Sequence, residues 1–168
     1  MKVAHALIGF FSMLSIAACT TVDAAPQPSA GPVEITLTRT VCFGFCPAYT
    51  VVITGDGQVT YTGRNFVNVV GEQHASTAPE AVQGLLRHFD AIHFDSLNDA
   101  YRAHVTDLPT TTIVLERNGH RKGVVDYGGP SVGMPQEVRE LQAEIDRVAG
   151  TSRWVLRDGQ PVRRPIER

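Results

Sequence analysis

The chain has 168 residues, with 15 Lys and Arg against 17 Asp and Glu, for a formal net charge of −2. This length fits one folded domain, large enough to bury roughly 68–70% of its unfolded surface. The slightly acidic balance argues against the strongly basic surface of nucleic-acid-binding domains, so no nucleic-acid partner is expected.

The first residues of the chain predict export. An apolar run over residues 6–18 follows one positive charge at Lys2. The run is too short to span a bilayer as a helix, which needs ~20 apolar residues, and is typical of a secretory signal. Residues 14–19, Leu-Ser-Ile-Ala-Ala-Cys, resemble the lipobox of bacterial lipoproteins. We therefore expect a signal peptide over residues 1–18 and lipidation of Cys19; the alternative is an ordinary signal peptide with an incidental Cys19.

The cysteine count agrees with this interpretation, because three is an odd number for an exported chain. A lipid on Cys19 leaves Cys42 and Cys46 as a pair, and an oxidising envelope predicts a disulfide between them. Thr20 stands where enterobacterial sorting would place an inner-membrane aspartate, so we expect the outer membrane, facing the periplasm. Residues 19–32 are rich in Ala, Pro, Ser and Gly and predict a flexible tether.

The first part of the domain is predicted to be β-structure. Residues 33–38 and 49–53 alternate apolar with polar side chains, which is the period of a half-buried strand. Gly55-Asp56-Gly57 indicates a hairpin to a third strand over residues 58–62. A fourth strand, less clearly patterned, is predicted over residues 66–70.

The second part alternates helix and hairpin. Thr77-Ala78-Pro79-Glu80 is typical of a capping box, and apolar residues at helical spacing follow it. Asn118-Gly119 joins two strands, residues 110–117 and 120–127, in a second hairpin. Pro135 then begins a last helix. The predicted fold class is α+β: an antiparallel sheet built from hairpins, two helices packed on one face, and the order β-β-β-(β)-α-β-β-α.

The densest motif of the chain lies over residues 42–49, Cys-Phe-Gly-Phe-Cys-Pro-Ala-Tyr. Gly44 can take the backbone angles of a tight loop, and Pro47 sets the chain extended. These residues, with Asp56-Gly57 and residues 106–111 and 125–128, resemble an exported bacterial family catalogued as domain of unknown function 6438. The family's signature is C-x-G-x-C-P-x-Y. The resemblance covers residues 33–154 and implies an exported or lipid-anchored protein, with no activity, ligand or partner attached.

Several chemistries find little support in the sequence. Cys42 and Cys46 could serve thiol-disulfide exchange, since Arg39 nearby could lower a thiol pKa. Redox pairs usually have two residues between the cysteines and lie at a helix start, so a structural disulfide is preferred. No Cys/His spacing predicts a metal site, no Gly-x-Ser-x-Gly motif predicts a hydrolase, and no cofactor is predicted.

Charged residues on apolar strand faces form the remaining candidate site. Arg39 continues the inward-facing register of the first strand, and Asp126 shares the inward face of its own strand. A charge on an apolar face needs a partner. We expect an internal ion pair of Arg39 with Asp126 or Asp107, close to Tyr49. The alternative is a pocket that presents charge to a ligand.

Trp154 is expected to close the domain, and residues 155–168 to form a basic, disordered tail, since Pro161 and Pro165 oppose regular structure. This tail could touch anionic lipid headgroups or have no role at all. We expect a monomeric, non-enzymatic envelope lipoprotein that is structural or binds a protein, peptide or cell-wall component. The alternative is a redox protein or enzyme that uses Cys42 and Cys46.

Overall fold

The computed structural model of the chain describes residues 32–163. The predicted signal peptide, Cys19, most of the tether and residues 164–168 lie outside the described residues. Seven strands form one sheet, and in chain order they are β1 (Val33–Arg39), β2 (Ala48–Thr54), β3 (Gln58–Asn65), β4 (Gly71–Ser76), β5 (Ala100–Arg102), β6 (Thr111–Arg117) and β7 (His120–Tyr127).

Across the sheet the strand order is β4-β3-β2-β1-β6-β7-β5, and neighbouring strands are antiparallel except β5, which runs parallel to β7. The register brings the apolar residues of each strand onto a single face. Ile35 on β1 lies opposite Ile53 on β2 and Leu115 on β6, and all three are buried. The alternation of side chains along each strand thus produces one continuous apolar surface.

Two long helices cover this surface, α1 (Pro79–Ala91) and α2 (Gln136–Ala149), and a short one, α3 (Ser152–Val155), follows. Every apolar position predicted for the face of α1 is buried. Trp154 on α3 stacks on Tyr61 of β3, with ring centroids 4.9 Å apart. The predicted α+β class is confirmed. None of the helices within residues 32–163 has the length and apolar content needed to cross a bilayer.

The fourth strand forms over Gly71–Ser76, so the prediction of a strand over residues 66–70 is wrong. Residues 66–70 instead form a loop that closes against α3. The N–H of Asn68 donates to the carbonyl of Val155 at 3.1 Å, and Val67 is buried in the core. The apolar side chains of this loop therefore pack inward without the two-residue period of a strand.

The capping box is also corrected. Helix α1 begins at Pro79, its N-cap is Ala78, and no side chain caps it. Thr77 lies one residue before the N-cap. Its N–H donates to the carbonyl of Gly57 at 2.8 Å, which continues the pairing of β4 with β3. Proline at the first helical position starts this helix without a side-chain cap, since its φ is already helical.

The chain beyond Trp154 is structured as far as the described residues extend. Two short strands, β8 (Leu156–Arg157) and β9 (Gln160–Pro161), form a hairpin, and Val162 is buried. The expected disordered tail is thus corrected for residues 155–163, and Pro161 does not prevent strand pairing. It is tolerated because these two strands form only a two-stranded ladder, whose outer edges need no proline N–H.

Candidate functional site

Four loops meet at one end of the sheet. Residues 40–47 join β1 to β2 and are here named the Cys-loop, and residues 66–70 join β3 to β4. Residues 103–110 join β5 to β6, and residues 128–135 join β7 to α2. The pairing of the strands places all four connections at the same end of the sheet. We name this end the Cys-loop end.

Backbone hydrogen bonds tie the Cys-loop to loop 103–110. The N–H of Phe43 donates to the carbonyl of Asp107 at 3.1 Å. The N–H of Thr40 donates to the carbonyl of Thr110 at 3.0 Å, and the hydroxyl of Thr40 accepts from the N–H of Thr110 at 2.9 Å. The two loops therefore form one surface.

The predicted disulfide between Cys42 and Cys46 is confirmed, with Cα atoms 5.5 Å apart. Gly44, at the centre of the ring, has a φ of 152°, which other residues rarely adopt. The ring turns the two residues beside Gly44 outward, so that Phe43 is 89% and Phe45 57% exposed. Phe45 makes an edge-to-face contact with Phe66, whose ring centroid is 5.6 Å away. The disulfide thus fixes two aromatic side chains in solvent.

Further exposed apolar side chains surround these two. Within residues 32–163, all the exposed large hydrophobic residues lie on the loops of the Cys-loop end: Val41, Phe43, Phe45, Val70, Val105, Leu108 and Val132. They come from four loops that are separate in sequence. Exposed apolar residues are common when scattered singly, but their gathering at one end is typical of a binding surface.

Beneath these loops, the carboxylate of Asp146 on α2 is the centre of a polar network. Arg39 donates to its Oδ2 from Nε at 3.1 Å and from Nη2 at 2.8 Å. The hydroxyls of Tyr49 and Thr151 donate to Oδ1 at 2.7 Å and 2.9 Å. One carboxylate therefore joins β1, β2 and the chain that follows α2.

The expected pairing of Arg39 with Asp126 or Asp107 is corrected by this geometry. Asp126 lies two strands away, since Arg39 is opposite Thr111 and Thr111 is opposite Asp126. Two strand spacings are on the order of 10 Å, too far for a direct contact with these side chains in their inward-facing rows. Asp107 lies on a loop and holds Phe43 through its backbone carbonyl.

Burial and neighbouring charge set the protonation of this network. Burial raises the pKa of Tyr49, and the carboxylate of Asp146 raises it further. Burial lowers the pKa of Arg39, but the attraction and hydrogen bonding of Asp146 and Tyr49 together outweigh burial and hold the pKa above its ordinary value. Tyr49 therefore remains a neutral donor and Arg39 a cation.

Asp126 forms a second, separate network. Its Oδ1 accepts from the N–H of Gly129 at 2.9 Å, and its Oδ2 accepts from Nε2 of Gln142 at 3.1 Å. Nε of Arg139 lies 3.4 Å from the same carboxylate. A Cβ at Gly129 would lie 2.6 Å from Sδ of Met134, so no larger residue fits there. Asp126 fixes the turn after β7.

Arg39 and Asp126 nevertheless line one cavity, which opens at the Cys-loop end. Its volume is about 340 Å³. It lies between loop 103–110, the turn after β7 and the side of α2, and its lining residues are Arg39, Leu108, Pro109, Thr111, Asp126, Gly128, Arg139 and Gln142. The sequence-derived alternatives of an ion pair and a pocket thus occur together, with a different ion-pair partner.

Sequence reasoning missed Thr151 and three α2 residues of these networks, and the three on α2 are Arg139, Gln142 and Asp146. They occur at helical spacing beside the apolar stripe of α2. That spacing predicts that the three side chains share one side of the helix. It does not show whether this side faces solvent or borders the core, because both give the same pattern.

The histidines within residues 32–163 form no metal-binding cluster. His88 on α1 contacts Glu144 on α2, with Nδ1 2.6 Å from Oε2, and this pair joins the two helices. Among residues 32–163, no group of three or more His, Cys, Asp or Glu side chains is arranged to hold a metal ion.

A family model described as domain of unknown function (DUF6438) matches residues 33–149. The chain belongs to this family. The matched span begins at the first residue of β1 and ends at the last residue of α2. The DUF6438 domain therefore comprises the sheet, both long helices and the whole Cys-loop end. No curated protein matches the chain.

In this DUF6438 domain, three of the segments on which the resemblance rested meet in space, and Asp56-Gly57 lies at the opposite end of the sheet. The Cys-loop contacts residues 106–111, and Tyr127 donates its hydroxyl to the carbonyl of Val105 at 2.9 Å. A Cβ at Gly128 would come within 2.9 Å of the Leu108 side chain. The signature residues therefore shape one end of the domain.

Proposed function

We propose that this chain is an exported lipoprotein, anchored through a lipid on Cys19, whose domain is a non-enzymatic module that binds a protein partner at the Cys-loop end. The observation that carries the proposal is the gathering of exposed apolar side chains on four loops, with Phe43 and Phe45 held outward by the disulfide ring. The envelope location rests on the signal and lipobox residues of the sequence.

The energetics favour a surface that is covered in use. Full burial of a phenylalanine side chain is worth about 1.5–3 kcal/mol. Phe43 and Phe45 start 89% and 57% exposed, so most of that free energy is still available for association. Aromatic anchors of this kind, fixed before binding, lose little conformational entropy on association.

A protein fits this end better than a lipid surface does. The chain enters β1 at Val33, whose carbonyl accepts from the N–H of Gly55 in the hairpin at the opposite end of the sheet. The seven residues of β1 span roughly 20 Å, so the start of β1 and the Cys-loop lie at opposite ends of the sheet. The Cys-loop end is also concave, which suits a protein partner better than a lipid surface.

The buried polar groups support a structural role for the networks. The oxygens of Asp146 and Asp126 accept hydrogen bonds from protein donors, and Arg39 bonds both Asp146 and Thr111. Thiol-disulfide chemistry is disfavoured because the disulfide closes a loop between two strands. Thiols activated for redox chemistry commonly lie at a helix N-terminus.

Photo-crosslinking tests the binding proposal. Benzoylphenylalanine is placed at Phe43 in living cells, and a matched control carries it at His120, exposed at the opposite end of the sheet. We expect a discrete protein adduct from position 43 and none from position 120. Adducts to phospholipid alone would overturn the choice of a protein partner, and no adduct from position 43 would overturn the binding function.

Lipid labelling tests the anchor separately. Cells are fed a palmitate analogue, and the native chain is compared with Cys19→Ser. We expect labelling and membrane partition of the native chain only, because the lipid supplies the membrane affinity. Equal labelling of the two chains would contradict the proposed anchor.

A further inference from the structure

The cavity at the Cys-loop end is lined by guanidinium groups. Two guanidinium groups line it, those of Arg39 and Arg139, together with the carboxylate of Asp126. The Asp126 side chain is only 5% exposed and accepts bonds on both oxygens. The side chain of Arg139 is 54% and that of Arg39 26% exposed. A ligand in this cavity therefore meets accessible guanidinium groups, whereas the carboxylate of Asp126 is covered.

Both arginines retain hydrogen-bond donors for a ligand. A guanidinium has five N–H groups. Within residues 32–163, Arg39 uses three of them, two for Asp146 and one for Thr111. Arg139 approaches Asp126 through Nε alone, and its two terminal nitrogens have no hydrogen-bond partner within residues 32–163. Because Asp146 fixes Arg39 from behind, that guanidinium is already oriented before a ligand arrives.

We propose that this cavity binds a carboxylate group of the partner between Arg39 and Arg139. The inference rests on the binding function proposed above and names the chemistry that this surface recognises. Paired guanidinium donors match the two oxygens of a carboxylate. A volume of about 340 Å³ admits one amino-acid residue rather than a folded element. Leu108 forms the apolar side of the cavity and continues the rim that Phe43 begins.

Such a carboxylate could be a chain terminus or an acidic side chain, and three peptides distinguish them. Acetyl-Ala-Phe-Ala carries a free terminal carboxylate, its amide carries none, and acetyl-Ala-Phe-Asp amide carries a side-chain carboxylate. Each is titrated into the exported chain with Cys19→Ser, labelled with ¹⁵N. The Nε–H resonances of Arg39 and Arg139 are followed by NMR.

We expect both Nε–H resonances to shift and saturate with at least one carboxylate peptide and not with the amide. A response to the first peptide alone assigns a chain terminus, and a response to the third alone assigns an acidic side chain. Arg139→Gln should weaken that binding about tenfold or more, as expected on loss of a charge-assisted hydrogen bond. Arg87→Gln removes an exposed arginine on α1 and should leave the affinity unchanged.

Equal responses to all three peptides, or no response to any, would overturn the carboxylate site. Equal weakening by Arg139→Gln and Arg87→Gln would also overturn it, because the effect would then come from net charge. The proposed binding function is judged independently by the adduct at position 43. A protein adduct there without a carboxylate response would leave the binding function standing and remove only this inference.

Discussion

Asp146 accepts side-chain hydrogen bonds from Arg39, Tyr49 and Thr151 at distances of 2.7–3.1 Å. Its side chain is 20% exposed, so most of the interaction takes place away from bulk water. Removal of one partner of such a pair leaves the other charge buried without compensation. At the scale of single residues, this carboxylate is therefore the group on which the arrangement beneath the Cys-loop end depends.

We predict that Asp146→Asn lowers the free energy of unfolding by about 3 kcal/mol, because Arg39 loses its buried counter-ion. This value is at the low end for buried pairs, since the carboxylate keeps some contact with solvent. Asp90→Asn is the matched control, and its exposed pair with Arg117 is expected to contribute under about 1 kcal/mol. Urea denaturation measures both variants, and equal losses would refute the prediction.

Tyr49 gives the domain a specific alkaline sensitivity. Its pKa is raised in the folded state, mainly by burial, so above pH ~10 the unfolded chain releases a proton that the folded chain keeps. The folded state then binds more protons, and stability is lost as pH rises through this range. Burial also raises the pKa of Tyr61, which adds to the effect.

We predict that the free energy of unfolding falls by up to about 1.4 kcal/mol per pH unit for each of these tyrosines above pH 10. Tyr49→Phe should reduce that slope by the share of one tyrosine. Urea unfolding from pH 8 to 11 measures the slope. An unchanged slope in the variant would show that Tyr49 does not titrate in this way.

At the scale of elements, turn motifs and side-chain periodicity predicted the strands whose bounds are set by their own local sequence. The Asp-Gly and Asn-Gly turns and the two-residue period predicted β1 to β3, β6 and β7, with ends within a residue or so of those observed except for β3, which runs on to Asn65. They failed over residues 66–70, where packing on α3 overrides the strand pattern. They also failed to find β5, whose three residues depend on pairing with β7.

In the candidate site, too, local contacts could be predicted from the sequence and long-range contacts could not. Cys42 and Cys46 are close in sequence, so their pairing followed from composition and compartment. The partner of Arg39 lies 107 residues away on α2. That contact depends on where α2 crosses the sheet, a property of the assembled core that no local pattern contains.

We predict that the exported chain holds Cys42 and Cys46 fully oxidised. Alkylation without reductant should add no label to either residue, and alkylation after reduction should add two. The double variant Cys42→Ser, Cys46→Ser should lose only ~2 kcal/mol of stability, because the closed loop is short. Mass spectrometry of freshly isolated protein reads the labels, and two alkylated thiols before reduction would contradict the prediction.

The C-terminal hairpin yields a further prediction about elements. Truncation after Trp154 removes Val155 and Val162, both buried, and the bond from Asn68 to the Val155 carbonyl. We expect a loss of about 3 kcal/mol from the buried apolar area. Truncation after Arg163 is the control and should leave the melting temperature unchanged. An unchanged free energy of unfolding in the chain that ends at Trp154 would mean that residues 155–163 do not stabilise the domain.

At the scale of the whole molecule, the two ends of the sheet differ, because the exposed apolar loops lie at one end only of the described domain. The first strand starts beside two tight polar hairpins and ends beneath the Cys-loop, so the start of β1 and the apolar loops lie at opposite ends of the sheet. This arrangement suits a protein that is held at a membrane and presents its far end to a partner. Neither Phe43 nor Phe45 contributes to the core, so their exposure fits the proposed association and has no role in core packing.

The most direct test of this account compares hydroxyl-radical oxidation of the chain in intact cells and after purification. Mass spectrometry reports oxidation at Phe43 and Phe45, and at His74 and His120, whose side chains are 70% and 69% exposed away from the Cys-loop. The account predicts that in cells the two phenylalanines are protected several-fold while the two histidines are not. Equal oxidation of Phe43 and Phe45 in cells and in purified protein would contradict it.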